Sequence, residues 1–451
     1  MRVKSGVAAS GLGLLLLLAA CAGDRVPEPA PPVQPPQGEL EQPLSPEVRV
    51  GLLLPLSGPA AGLARDMQAA AQMALFDVGE NDLVLLPRDT AGTPQGARVA
   101  AEQVIEEGAA VILGPLFNQA VSAVSPIAAP AGVRVLAFSN VASAATDGTF
   151  LLGYRPEEQV TRVVRYALEN VGRRPPEPVA GAAAPDPGAS AFDPRPIRIA
   201  GLAPEDAYGA TALAALRRAV LEGGGELGPS LFYPPDEADP SAVIRQIAAY
   251  DQRKAALERE RARLEQRPED EQARRELERL ATLDTLGPPP FDAIMIADGG
   301  DRLRSVASLL TFFDVDPASV RFLGTMRWQD DPRVLAEPAL QQGWFAASAP
   351  EGLAQFERQF EAAYGRPPQQ PALAALAYDA TALAAIVASA DRRFDELSLT
   401  NAQGFAGATG LFRLRPDGLA DHGLAVLEVA GGGARLIDPP PASFTDTLAA
   451  R

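Results

Sequence analysis

The segment Val48-Arg49-Val50-Gly51-Leu52-Leu53-Leu54 decides the fold of this chain. It is a nearly continuous apolar run of strand length, which is typical of a parallel strand covered on both faces. Apolar residues at helical spacing follow it from Leu63 to Val78 and predict a crossover helix. A second apolar run at 83–86 then completes a βαβ unit, the building block of an open sheet.

The same alternation of strands and helices continues along the chain. Thr93 and Pro94 have the pattern of an N-cap followed by proline at the first helical position, so a helix is expected over 93–107. Further elements are predicted at 110–113, 118–129, 133–138, 156–171, 197–201, after 208, 227–233, 291–296, 301–313, 320–323, 343–348, 351–365 and 371–390, with a strand pair near 411–429. We therefore expect an α/β protein of two lobes, each a doubly wound, mostly parallel sheet. The predicted lobes comprise 48–155 with about 349–405, and 156–348 with about 406–438.

Two insertions interrupt the second predicted lobe. Residues 175–196 contain seven prolines and predict a loop without regular structure. Residues 240–287 predict a helical hairpin: one helix runs from Pro240 through the charged stretch 251–267, and a second restarts after Pro268 and ends near Gly287. Narrow leucine seams flanked by mixed charge are typical of two antiparallel helices. The pattern leaves open whether the hairpin is a solvated spacer or a docking element.

The N-terminus predicts a secreted lipoprotein. Residues 1–20 combine early positive charge, an apolar run at 12–18 and small residues before Cys21, which is the pattern of a signal peptide cut at a lipidated cysteine. The alternative is an ordinary signal peptide with a chance cysteine. Residues 21–47 are rich in proline and predict an extended tether.

Composition excludes several functional classes. A formal net charge of −17 disfavours nucleic acid as a partner and also broad contact with anionic lipid, so acyl chains on Cys21 would hold the membrane. The chain has one histidine and one cysteine, so zinc sites and Ser-His-Asp or Cys-His mechanisms are not expected. We predict a non-catalytic protein without a metal or a cofactor. His422, in a turn-rich stretch, is expected to be a polar surface residue.

Short polar residues follow several of the predicted strands, where ligands of open α/β sheets bind. Each combines a small turn residue with a side chain able to hydrogen-bond a small polar ligand between the lobes. The same residues also suit the capping of the next helix, and that alternative stays open. The candidate cleft residues are Ser57, Gly58, Asn118, Gln119, Ser139, Asn140, Tyr208 and Asp298.

Several of these motifs resemble type I periplasmic binding proteins of the leucine-binding class, over nearly everything from Val48 to about Val429. The similar segments are 50–58, Gly114-Pro115 and Ala207-Tyr208-Gly209. The resemblance implies the two-lobed fold of that class, and a transport-type member would not be expected to carry the predicted helical hairpin. In the amino-acid binders of the class, a hydroxyl residue and an acidic residue hold the ligand, at positions that fall on Val141 and near Gly300 here. The resemblance therefore implies that a free α-amino acid would leave its ammonium group unpaired, which costs several kcal/mol.

Within that class the chain is most similar to the penicillin-binding protein activators. The similar segments are 138–140, 152–159, 285–293, 323–328 and 377–380, together with the hairpin insertion. The resemblance implies an outer-membrane lipoprotein that stimulates a membrane-anchored peptidoglycan synthase, and Ala22 after Cys21 fits sorting to the periplasmic face of the outer membrane. The alternative is the solute-binding protein of an ABC importer for an amino acid or another small polar ligand.

Overall fold

The computed structural model describes residues 47–79, 82–172, 195–235, 239–329, 331–390 and 392–444. The predicted signal peptide, Cys21 and the tether up to residue 46 lie outside these stretches, and so does nearly all of the predicted loop 175–196. The signal peptide, the lipid anchor, the tether and the loop therefore remain predictions from the sequence.

The N-terminal part of the described chain forms a five-stranded parallel sheet. Its strands are β1 (Val48–Leu54), β2 (Leu83–Asp89), β3 (Val111–Leu113), β4 (Arg134–Ala137) and β5 (Thr149–Leu151). Helices α1 (Ala61–Val78), α2 (Pro94–Glu106) and α3 (Asn118–Ala128) connect the first four strands. The strand order is β2-β1-β3-β4-β5 and every pair is parallel, which confirms the predicted βαβ array.

Burial on both faces explains why β1 is almost uniformly apolar. Leu52 and Leu54 pack in the same core as α1, whereas Leu53 packs with α2 and α3 on the opposite face, as the two-residue period of a strand requires. The predicted cap of α2 is also confirmed, because the Thr93 side chain accepts a hydrogen bond from the backbone N–H of Gly96 at 3.0 Å.

Strand β5 is not predicted by the sequence pattern. It has only three residues and follows a turn at Asp147-Gly148, in which Gly148 has a φ of +77° that favours glycine. Three residues are too few for the alternation that identifies a strand, so only the pairing with β4 defines it.

The chain then enters a second α/β array. It begins with α4 (Pro156–Asn170), β6 (Arg198–Pro204), α5 (Ala207–Glu222) and β7 (Glu226–Tyr233). The insertion follows as α6 (Ser241–Ile247), α7 (Tyr250–Glu265) and α8 (Glu271–Leu280). The array resumes with β8 (Ala293–Ile296), α9 (Gly300–Phe312), β9 (Arg321–Gly324), the short α10 (Pro332–Leu335) and β10 (Trp344–Ala347).

The helical hairpin is present, with two corrections to its bounds. The predicted continuous first helix is interrupted at Ala249, whose φ of +48° cannot continue a right-handed helix. The second helix ends at Leu280 rather than near Gly287, because turns and the prolines at 288–290 follow. Helices α7 and α8 enclose their own small apolar core of Leu257, Leu264, Ala273 and Leu280, as the leucine seams predict.

The C-terminal part comprises α11 (Pro350–Tyr364), α12 (Pro371–Ala390), α13 (Glu396–Leu399) and strands β11 (Phe405–Gly407), β12 (Gly410–Leu414), β13 (Ala420–His422), β14 (Ala425–Ala430) and β15 (Gly433–Asp438). Helix α12 is long and apolar enough to cross a membrane, but most of it is buried in the protein against α1. It is therefore explained as a core helix.

The last five strands belong to two different sheets. Strands β14 and β15 lie at one edge of a seven-stranded sheet of order β15-β14-β10-β9-β8-β6-β7. The pairs β15-β14 and β14-β10 are antiparallel, and the remaining neighbours are parallel. Strands β11, β12 and β13 form a separate antiparallel sheet. The predicted strand pair at 411–429 is thus wrong, because its two parts lie in different sheets. The chain passes between the two lobes after β5, after β10 and through the three-stranded sheet.

Candidate functional site

The carboxyl ends of strands from both lobes contribute to one cavity of about 420 Å³. From the first lobe it is lined by residues of α1, the β3 and β4 ends and the start of α12: Leu63, Leu116, Phe117, Phe138, Ser139, Asn140, Gln370, Ala372 and Leu373. From the crossing after β5 and the second lobe it is lined by Gly153, Tyr154, Gln159, Tyr208, Met326 and Arg327. Its volume lies in the usual range for small-molecule sites.

Three of the eight candidate cleft residues line this cavity. Ser139 is buried, and its hydroxyl accepts a hydrogen bond from the backbone N–H of Val141 at 3.3 Å. Asn140 is exposed at the cavity wall, and Tyr208 contributes from the opposite lobe. These three residues bring strand ends from both lobes to the cavity wall.

The other five candidates do not line the cavity. Ser57 and Gly58 are exposed, and the backbone N–H of Ser57 donates to the carboxylate of Asp89 at 3.2 Å. Asn118 and Gln119 are exposed in the first turn of α3 and do not line the cavity. The residue before them, Phe117, does line it.

Asp298 is buried in contacts of its own. Its carboxylate accepts hydrogen bonds from the Tyr233 hydroxyl at 2.5 Å and from the backbone N–H of Gly299 at 2.8 Å, and Arg302 lies 3.8 Å away. These contacts hold the strand end together, and Asp298 is only 8% exposed. Burial raises the pKa of Tyr233, so its hydroxyl remains a donor at neutral pH.

Arg327 and Tyr208 form the second-lobe wall. The Arg327 guanidinium carbon lies 3.5 Å from the centroid of the Tyr208 ring, a cation–π stacking contact. The Tyr208 hydroxyl donates to Thr325 Oγ1 at 2.8 Å, and burial raises its pKa. Glycine is required at position 209 because a Cβ there would overlap the carbonyl oxygen of Pro204. The hydrogen bond to Thr325 and the stacked Arg327 therefore hold the ring in place.

Gln159 connects the segment after β5, where the chain passes from the first lobe to the second, with the loop after β9. Its side-chain carbonyl accepts from the backbone N–H of Met326 at 3.0 Å, and its amide donates to the carbonyl of Tyr154 at 3.2 Å. The Tyr154 hydroxyl accepts in turn from Ser348 Oγ at 3.0 Å, next to the second crossing. Neither Gln159 nor Arg327 was predicted. Arg327 follows a strand end and could have been found by that rule, whereas Gln159 lies inside a helix and gives no such signal.

A group of titratable side chains, the crossing cluster, lies beside the cavity, partly or fully buried, and consists of Arg155, Glu158, Asp379, Asp421 and His422. Glu158 accepts from the backbone N–H of Arg155 at 2.8 Å and lies 2.9 Å from His422 Nδ1. Arg155 donates to the carbonyl of Ala420 at 2.9 Å and lies 3.7 Å from Asp421. These side chains therefore have partners within the protein, although Arg155 Nε and His422 Nε2 are buried without a hydrogen bond to any described residue.

The prediction that His422 is a surface residue is wrong. It lies in β13, its side chain is 4% exposed, and its ring centroid is 4.3 Å from that of Tyr154. The sequence around it is rich in turn residues, but the pairing of β13 with β12 turns the ring inward. No local pattern could show this, because its partner Glu158 is distant along the chain.

Asp379, the member of the crossing cluster that lies in α12, accepts hydrogen bonds from the loop between β11 and β12. Its carboxylate accepts from the backbone N–H of Ala408 at 2.6 Å and from the backbone N–H and hydroxyl of Thr409 at 3.1 Å and 2.5 Å. Burial raises the pKa of Asp379 to about 6 despite these donors. These hydrogen bonds join α12 to the three-stranded sheet.

A second cavity of about 470 Å³ lies wholly in the second lobe. It is lined by the end of α9 and by residues 316–318, 337–339, 341 and 342, at the amino ends of β9 and β10. Ligands of parallel sheets bind at the carboxyl ends of strands, so this larger cavity is at the wrong edge.

Comparison with known proteins identifies the class that this architecture defines. A family model described as Periplasmic binding protein matches residues 47–434. The chain therefore belongs to the periplasmic binding protein family. This membership implies a periplasmic or otherwise extracytoplasmic location, and it confirms the two-lobed α/β fold.

Solved structures and curated relatives agree with the fold. A putative branched-chain amino acid ABC transporter from Rhodospirillum rubrum is 18% identical with a TM-score of 0.65, covering 87% of this chain and 100% of its own. A solute-binding protein from R. palustris in complex with benzoate is 16% identical with a TM-score of 0.54, covering 88% and 98%. The Leu/Ile/Val-binding protein BraC3 of Rhizobium johnstonii is 25% identical over 134 residues, 28% of this chain and 36% of that protein. The chain thus matches about a third of that curated relative.

Proposed function

We propose that this chain is a solute-binding protein that captures a small ligand between its lobes. The observation that supports this is the cavity of about 420 Å³ whose wall comes from both lobes and from the crossing between them. A ligand that contacts both lobes stabilises the arrangement in which they lie close together. The proposal corresponds to the binding component of an importer.

The fold alone does not select the ligand. Proteins of this fold include LivJ from Streptococcus pneumoniae in complex with isoleucine and the R. palustris protein in complex with benzoate, at 14% and 16% identity to this chain. One fold serves different ligands through the side chains that line the cavity. The ligand of this chain must therefore be sought in its own lining residues.

A thermal-shift screen tests this proposal. A library of small metabolites is added to the mature chain that carries Cys21→Ser. Ligands should raise the melting temperature and reduce the radius of gyration measured by X-ray scattering. Asn140→Trp fills the cavity and should abolish both effects, whereas Gln119→Trp, exposed outside the cavity, should preserve them. Absence of any ligand in the library and in periplasmic extract would contradict the proposal.

A second candidate function is activation of a peptidoglycan synthase from the outer membrane. It is supported by the hairpin of α7 and α8, which lies outside all three described sheets and has its own apolar core. Arg253 anchors its base by donating to the carbonyls of Gly287 and Asp314, each at 3.0 Å. A fixed base and a charged, exposed surface suit an element that contacts another protein.

Replacement of residues 256–283 by a short Gly/Ser turn tests this second function and retains the Arg253 anchor. The two lobes should keep their melting temperature, and binding to purified synthases should be lost if the hairpin docks. A matched control exchanges the exposed pair Arg275 and Glu271, which preserves the net charge. Unchanged synthase binding without the hairpin would reject docking by this element. In cells, Cys21→Ser should release the protein from the membrane fraction if lipid anchors it.

A further inference from the structure

The charge in the lining of the cavity between the lobes is positive. Among the described residues that line it, Arg327 is the only charged side chain, and the others are apolar, aromatic, amide or hydroxyl groups. The neighbouring acid, Asp298, is not part of the lining and already accepts hydrogen bonds from Tyr233 and Gly299. A cationic group entering the cavity would find no carboxylate, and an anion would find a guanidinium.

The Arg327 guanidinium is positioned to receive that anion. Stacking on the Tyr208 ring occupies one face of the guanidinium plane, so its N–H donors, which point outward in the plane, stay available. Arg327 is exposed and has no hydrogen bond or ion pair from its side chain to any residue that the structure describes. Two parallel N–H donors fit the two oxygens of a carboxylate.

The rest of the wall suits an apolar body. Phe117, Phe138, Leu63 and Leu373 approach from the first lobe, and Met326 adjoins Arg327 in the second. Phe117 is 41% exposed, so an apolar ligand group placed there removes aromatic surface from water. Ser139 and Asn140 offer polar contacts opposite the guanidinium.

We infer that the ligand is an organic monocarboxylate with a short apolar chain or ring and no ammonium group, and that Arg327 binds its carboxylate. This inference rests on the proposed solute-binding function and specifies its ligand class. A zwitterionic amino acid also has a carboxylate, but its ammonium would be buried without a counter-charge, which opposes binding. A neutral analogue would leave the Arg327 donors without the charge-assisted bonds.

Calorimetry on the mature chain tests this inference with benzoate, phenylacetate and hexanoate as anions, benzyl alcohol and benzylamine as analogues, and leucine as the zwitterion. At least one acid should bind more tightly than about 1 mM, and the other probes should not. Arg327→Gln should weaken binding of that acid by at least about tenfold. Arg327→Lys should weaken it less, because lysine keeps the positive charge but lacks the two parallel N–H donors of the guanidinium. Arg333→Gln, a nearby exposed arginine outside the lining, should change nothing.

The outcomes separate this inference from the function on which it rests. If leucine, benzylamine or benzyl alcohol binds and the acids do not, the ligand class is wrong and the solute-binding function stands. The same conclusion holds if the metabolite library yields only ligands without a carboxylate, or ligands that bind Arg327→Gln equally well. If neither the probes nor the library give any ligand, both fail. Unchanged circular dichroism and melting of Arg327→Gln exclude misfolding as the cause of lost binding.

Discussion

The cavity and the crossing cluster lie side by side and use charge in opposite ways. Both draw on the segment that follows β5: Tyr154 and Gln159 line the cavity, whereas Arg155 and Glu158 belong to the crossing cluster. In the crossing cluster, each charged group faces partners from the protein. In the cavity, Arg327 stacks on the Tyr208 ring but has no hydrogen bond or ion pair to any described residue. A paired buried charge holds elements together, and an unpaired charge in a cavity is available to a ligand.

The largest effect on stability is expected from Asp379→Ala. The change leaves two backbone N–H groups and the Thr409 hydroxyl without their acceptor in a buried position, which should cost about 4 kcal/mol of unfolding free energy. Urea denaturation measures the loss. Glu102→Ala, in an exposed ion pair with Arg98, is the control and should cost less than about 0.5 kcal/mol. Equal losses for both variants would show that the crossing cluster has no special role.

The second prediction concerns pH. Burial raises the pKa of Asp379 to about 6, above its ordinary value of 3.8, so the folded state binds the proton more tightly than the unfolded state. This contribution is fully present below about pH 3.8 and is lost as the pH rises through about 6. The unfolding free energy of the wild type, minus that of Asp379→Asn, should fall by about 2 kcal/mol between pH 4 and pH 7. A rise over this range would mean that hydrogen bonds to the carboxylate outweigh its burial.

These two regions also differ in how far the sequence could predict them. Local sequence patterns predict strand β1, the cap at Thr93 and the strand ends that place Ser139, Asn140 and Tyr208. The spacing of apolar residues and the turn residues that define these features lie within a few positions of one another. The crossing cluster depends on partners that are distant in the chain, such as Glu158 and His422. The periodic spacing of apolar residues carries no information about such long-range pairs. The same limit explains why β5 and the division of β11 to β15 between two sheets could not be predicted.

The third prediction concerns Arg155→Met, which keeps a long apolar side chain and removes the charge. The buried carbonyl of Ala420 loses its donor, but Asp421 retains Arg413 at 2.8 Å and Arg415 at 3.3 Å. The expected loss is therefore about 1.5 kcal/mol, smaller than for Asp379→Ala. Chemical denaturation gives the value, and binding of the best acid probe should be retained, because Arg155 does not line the cavity. A larger loss than for Asp379→Ala would reverse the order of importance within the crossing cluster.

The smallest effect on the unliganded protein is expected from Arg327→Gln. Its side chain is exposed and the substitution removes only the stacking on Tyr208, so the unfolding free energy should fall by about 0.5 kcal/mol. The difference emerges with ligand. At a concentration of 100 times the wild-type Kd, a bound acid stabilises the wild type by about 2.7 kcal/mol, and a variant that binds tenfold more weakly by only about 1.4 kcal/mol. Arg155→Met should show the reverse pattern, less stable without ligand yet stabilised by the full amount. Denaturation curves for both variants, with and without the best acid probe, distinguish them; if both lose stability alike in the two conditions, the contrast between paired and unpaired charge is wrong.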